Sequence, residues 1–147
     1  MKKYVFLSLS VILTLLIFSM SFQSGETSGS ISLDITRFFV RMINGVFPNW
    51  TPDVDTIHIL IRKAAHVGEY GILGVSYALT SKSFLKPILW VLPFGLAIAL
   101  IDEGIQILAS DRGPALTDAL LFDFPGFLVG VGIIFLASKI SHQINVS

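Results

Sequence analysis

The chain is 147 residues long, 53% hydrophobic and only 14% charged, with a mean hydropathy of +0.78. Soluble domains carry about 25% charged residues, so the composition speaks against a water-soluble globule. Ten Lys and Arg balance ten Asp and Glu, and cysteine is absent. That removes the net basic charge that would drive nucleic-acid binding and excludes a disulfide scaffold, a thiolate zinc site and a cysteine nucleophile. The length allows one domain over residues 1–147, most simply a small all-α membrane bundle.

Four apolar stretches approach the ~20 residues needed to cross a hydrocarbon core: about 4–20, 57–80, 87–109 and 119–138. The first follows Lys2 and Lys3 and is nearly free of ionisable groups. Its rival reading is a cleaved secretory signal, because Ser19-Met20-Ser21 resembles a small-x-small cleavage site. Next comes Gln23-Ser24-Gly25-Glu26-Thr27-Ser28-Gly29-Ser30, polar and turn-rich. Beyond it Ile35, Phe38, Phe39, Met42 and Val46 recur at helical spacing, with Asp34, Arg37, Arg41 and Asn44 on the other face. This predicts a short amphipathic helix over about 31–46, with Ser30 or Ser32 near its N-cap and Gly45 near its end. It lies on the outer leaflet, lids the bundle, or is a plain packed loop helix. Thr51-Pro52 suits the cap and first position of the second span. Asn49-Trp50-Thr51 matches a glycosylation sequon, a pattern common by chance.

The second span carries Arg62, His66 and Glu69 at i, i+4 and i+7, on one helical face, flanked by Lys63 and Tyr70. Gly68, Gly71 and Gly74 form a separate small-residue stripe for close helix contact. The third span carries Asp102, Glu103 and Gln106. A polar turn, Ser110-Asp111-Arg112-Gly113-Pro114, leads to Asp118, Asp123, Gly126, Gly130 and Gly132. At 1.5 Å rise per residue, His66 lies roughly 14 Å and Glu69 roughly 18 Å below the start of the second span, while Asp102 and Gln106 lie roughly 22 and 28 Å up the third. The ionisable groups therefore converge on one half of the bundle. With Lys2 and Lys3 cytoplasmic, four spans put both termini inside and that half outside, in a multi-pass cell-membrane protein. Lys82, Lys86 and Lys139 then also lie inside, against Arg37, Arg41, Arg62, Lys63 and Arg112 outside.

A structural reading has these charges holding helices together. Interhelical hydrogen bonds in membranes average only about 0.6 kcal/mol, while a mid-bilayer charge costs about 2.5–3.5 kcal/mol. Stability alone does not justify so many, which favours a polar pocket as their purpose.

Arg62-Lys63-x-x-His66-x-x-Glu69-Tyr70-x-x-Leu73-Gly74, then Asp102-Glu103-x-x-Gln106, then Arg112-Gly113 with Asp118, resembles the VanZ-like family of small membrane proteins. Ser21-Phe22-Gln23-Ser24-Gly25 resembles that family's Ser-Ser-Gln-x-Gly segment, with Phe22 in place of a serine. The resemblance implies a cell-envelope protein associated with resistance to glycopeptide antibiotics such as teicoplanin, and an uncleaved first span. It implies a ligand-binding set of Gln23, Arg62, Lys63, His66, Glu69, Tyr70, Asp102, Glu103, Gln106, Arg112, Asp118 and Asp123. The sequence departs from the family at Asp118 and Asp123. They are five apart rather than four, which on a straight helix turns about 140° instead of about 40° and leaves open whether both share the pocket. A phosphotransbutyrylase label carried by some members finds no phosphate loop here.

Two functions remain. One is a binder or remodeller of an envelope lipid or peptidoglycan precursor, with Arg62, Lys63 and Arg112 meeting phosphate or carboxylate. The other is an intramembrane enzyme acting on a lipid-linked phosphate or ester, with His66, Glu69, Asp102 and Glu103 as acid/base candidates. No cofactor is expected, and no metal. His66 with carboxylates has the donor types for a divalent ion, but a lone histidine without matched ligand spacing is more often a hydrogen-bonded core residue.

Overall fold

The computed structural model describes residues 2–49, 53–109 and 116–144, the side chains of His142 and Ile144 aside. Trp50, Thr51 and Pro52, and the turn Ser110-Asp111-Arg112-Gly113-Pro114, lie outside the described residues. The described chain is helical: α1 (Lys2–Ser21), α2 (Gly25–Val46), α3 (Val54–Ser83), a 3₁₀ turn Ile88–Val91 leading into α4 (Leu92–Leu108), a short Leu116–Asp118 turn, a π-turn Ala119–Asp123, and α5 (Phe124–Ile144).

Among the described residues, three stretches are long and apolar enough to cross a membrane: Lys2–Ser21, Ile88–Leu108 and Leu116–Ser141. The expected second span falls on α3, which is 30 residues long but is interrupted by Arg62, Lys63, His66 and Glu69. Length and composition thus support three of the four expected spans.

Helix α3 is the central element. Antiparallel α1 packs on it through hydroxyls: Ser10 Oγ lies 3.0 Å from Thr80 Oγ1 and Thr14 Oγ1 lies 3.2 Å from Tyr77 Oη. The groups in these contacts are neutral. Helix α5 runs parallel to α3 in closer contact. A Cβ on Gly74 would collide with the Phe127 carbonyl, one on Gly126 would lie 2.6 Å from the Val67 carbonyl, and one on Gly130 would collide with the Gly71 carbonyl. Small residues let two backbones approach this closely. Of the expected stripe, Gly71 and Gly74 make the contact, while a Cβ at Gly68 or at Gly132 would meet open space. Gly95 of α4 makes room for the buried Phe127 ring.

Two helix starts differ from the sequence expectation. Helix α2 begins at Gly25, not near Ser30 or Ser32, because Ser24 caps it by accepting from the Thr27 N–H at 3.2 Å. The polar stretch read as a turn is its first turn and a half. Its apolar residues Ile31, Ile35, Phe38, Phe39, Met42 and Val46 are all exposed. Helix α3 is capped by Asp53, whose carboxylate accepts from the Thr56 hydroxyl at 2.6 Å and from the Asp55 and Thr56 N–H groups. The Thr56 bond, followed by the backbone bonds, holds the Asp53 carboxyl below the usual range. At its other end α3 closes in a Schellman motif, with Lys86 N–H donating to Ser81 O and Leu85 N–H to Lys82 O. Leu85 occupies the left-handed position at φ 56°, where a Cβ costs roughly 1–2 kcal/mol.

Candidate functional site

The polar residues of α3, α4 and the π-turn meet at one end of the bundle. The lysines other than Lys63 gather at the other. Lys3 Nζ sits 5.5 Å from the Phe84 ring centroid, and Lys82 Nζ donates to Ser138 Oγ at 2.6 Å, next to Lys139. At the polar end, α1 stops at Ser21, whose Oγ donates to Asp102 Oδ1 at 2.5 Å. The cluster is therefore level with the last residue of α1.

The π-turn decides which acids reach α3. Phe124 N–H donates to the Ala119 carbonyl, an i→i+5 bond. Pro125 has no N–H for the Leu121 carbonyl, and its ring crowds that group, which favours widening the turn at this point. A π-turn takes in one extra residue, so residues five apart return to nearly the same face. The straight-helix separation of about 140° does not hold here. Asp118 pairs with Lys63 at 3.7 Å, and Asp123 pairs with His66 at 3.0 Å. Lys63 and His66 are one turn apart on α3, so both acids face the same helix. Lys63 Nζ also lies 4.2 Å from the Phe122 ring centroid.

The two pairs sit in different surroundings. The Lys63 and Asp118 side chains are 38% and 41% exposed, whereas Asp123 is fully buried and His66 is 28% exposed. Asp102 is 1% exposed. One ligand atom each from His66, Asp102 and Asp123 lie within 4.8 Å of one another. Tyr70 is fully buried with its hydroxyl beside the Asp102 carboxylate, and Asp123 Oδ2 has no hydrogen-bond partner among the described residues.

Beside this cluster a cavity of about 180 Å³ opens between α1, α2, α3 and α4. Gln23, Arg62, His66, Glu69 and Asp102 form its polar wall, and Ile17, Met20, Ile31, Ile35 and Ile61 its apolar wall. The sequence reading thus brings together Gln23, Arg62, His66, Glu69 and Asp102. Asp123 reaches His66 from behind. Glu103 and Gln106 are buried side by side on α4, with Gln106 Nε2 donating to Glu103 Oε1 at 3.4 Å, and are not in the cavity wall. Lys63 and Asp118 form the half-exposed pair one turn away, and Arg112 lies outside the described residues.

Sequence reasoning missed the serines. Ser21 fixes Asp102, Ser28 and Ser32 line the cavity, and Ser32 Oγ lies 2.6 Å from Nε2 of His58. A serine in a polar stretch carries no signal of its own. Only the position of Ser21, at the head of the Ser21–Gly25 segment, offered one.

The family model described as VanZ/LLP1 matches residues 6–138. No curated protein and no solved structure matches the chain.

Proposed function

Because the chain belongs to the VanZ/LLP1 family and carries apolar helices of membrane-crossing length, we propose that this membrane protein binds an envelope lipid or lipid-linked cell-wall precursor in the cavity at the polar end of the bundle. The carrying observation is the cavity wall, which sets Arg62, His66, Glu69 and Asp102 against Ile17, Met20, Ile31, Ile35 and Ile61. A ligand with a charged head and a hydrocarbon chain fits both sides of such a wall. The Arg62 guanidinium offers a fork to phosphate, while the carboxylates meet amines and hydroxyls. Binding or remodelling such a precursor would give this chain a route to lower glycopeptide susceptibility, the property that its resemblance to VanZ-like proteins implies.

Helix α3 crosses the membrane as the fourth span, shielded by α1 and α5, with its ionisable face turned to the cavity. The hydroxyl contacts between α1 and α3 support a first span that stays in the bundle. Helix α2 lies at the interface, with Ile31 and Ile35 on the cavity and the exposed Phe38, Phe39, Met42 and Val46 turned to lipid. The lysine-rich end is cytoplasmic, and the cavity faces outward.

The test is native mass spectrometry of detergent-purified protein titrated with a polyprenyl phosphate. One bound lipid per chain is expected, with Arg62→Gln weakening binding by about tenfold, the loss of one charge-assisted bond pair. Equal binding by Arg62→Gln overturns the reading. Orientation is checked separately. A cysteine at Asn49 reacts with an impermeant thiol reagent on intact cells, and one at Ser83 does not. The opposite pattern puts the cavity on the cytoplasmic side.

A further inference from the structure

We propose that His66, Asp102 and Asp123 form a binding site for one divalent first-row metal ion, Zn²⁺ or Mn²⁺, contrary to the expectation of no metal drawn from sequence. The three residues come from α3, α4 and the π-turn, and each offers a ligand atom within 4.8 Å of the other two. Metal–ligand bonds of about 2.0–2.2 Å put neighbouring ligand atoms about 3.0–3.4 Å apart. The His66 Nδ1 to Asp123 Oδ1 separation of 3.0 Å already has that spacing. Asp102 offers a carboxylate oxygen within 4.8 Å of both, and a side-chain rotation completes the set.

The second, independent observation is an orphaned carboxylate oxygen. Asp123 is 0% exposed, yet its Oδ2 lacks a hydrogen-bond partner among the described residues. Buried polar atoms are rarely left so, and an unfilled ion position is one of the recognised reasons. Two buried carboxylates carry the charge that a divalent cation cancels. Ser21 Oγ donates to Asp102 Oδ1 at 2.5 Å, the outer-sphere bond that orients a ligating carboxylate. His66 and Asp102 also line the cavity, which gives an ion its route in and leaves a coordination position facing a bound molecule. One imidazole nitrogen with carboxylate oxygens favours Zn²⁺ or Mn²⁺ over Ca²⁺ and Mg²⁺, which prefer oxygen alone. The ion would polarise a phosphoryl or carbonyl oxygen brought into the cavity. The site rests on these three residues and not on the lipid reading, so either can fail without the other.

The experiment uses the full chain in detergent, carrying no polyhistidine tag and stripped with chelator, then dialysed against Zn²⁺ or Mn²⁺ and analysed for metal. About one ion per chain is expected, and His66→Gln and Asp123→Asn should each lower affinity at least about tenfold, the least a lost outer-sphere partner costs. His58→Gln and Asp118→Asn should bind as the unaltered protein does. Wild type without stoichiometric metal, Asp123→Asn with undiminished affinity, or loss in the two control variants overturns the site. Should the ligand variants fail to fold, pulsed electron paramagnetic resonance of Mn²⁺-loaded wild type still decides. Coupling to one imidazole nitrogen supports the site, and no nitrogen coupling overturns it.

Discussion

Replacing Gly130 with alanine is expected to cost the bundle about 3 kcal/mol or more, the upper part of the range for forcing a methyl group into a packed contact. A Cβ there would meet the Gly71 carbonyl and also come within 2.8 Å of the Val75 amide nitrogen. Both are backbone atoms on α3, so no rotamer change relieves the clash, and α5 must move away from α3 as a body. That displacement reaches the site. Val67, which contacts Gly126, is the residue after His66, and α5 is continuous with the π-turn that presents Asp123. The control is two residues away. Gly132→Ala places its Cβ in open space, and exchanging a mid-helix glycine for alanine is worth roughly 0.5–1 kcal/mol in the stabilising direction. Denaturant-induced unfolding in detergent micelles, followed by circular dichroism, measures both. Equal stability of the two variants would show that the α3–α5 contact is looser than the structure has it.

The second large effect separates the two acids of the π-turn. Asp123→Ala should destabilise chelator-treated protein by about 3–5 kcal/mol, because it strips His66 of its partner and leaves the carboxylate's buried space empty. Asp118→Ala should cost no more than about 1 kcal/mol, as expected of a salt bridge whose partners are each more than a third exposed. Both acids point to α3 from one turn of chain, so the contrast isolates burial as the variable. Chelator treatment removes any contribution of a bound ion to the comparison. If Asp118→Ala proves as costly as Asp123→Ala, the Lys63 pair is shielded, and the half-exposed geometry does not describe it.

Much of the site was legible in the chain. Ionisable residues are scarce in apolar helices, so Arg62, His66, Glu69, Asp102 and Asp123 stood out by type alone, and helical spacing put the first three on one face. Depth counting also brought them to the same end of the bundle, and five lysines marked the opposite end. The start of α2 was not legible, because Ser24, Ser30 and Ser32 are equally good caps and the sequence does not rank them. The sequence reading took 57–80 as a span, but length and composition do not mark α3 as one, because its interrupting charges lower its hydropathy.

The sequence by itself determined the class of molecule, the helical faces and the identity of the polar residues, since these depend on local composition and on the 3.6-residue period. Tertiary structure decided which of those residues meet. The π-turn at Ala119–Asp123 converts a spacing that reads as opposed faces into one that turns both acids to α3. A change of a single residue in helical register has no signature in hydrophobic periodicity, and its consequence appears only where a second helix supplies Lys63 and His66. The Asp102 contact likewise joins residues 81 positions apart. Such a pairing follows from how α1, α3 and α4 pack, and no local rule contains it.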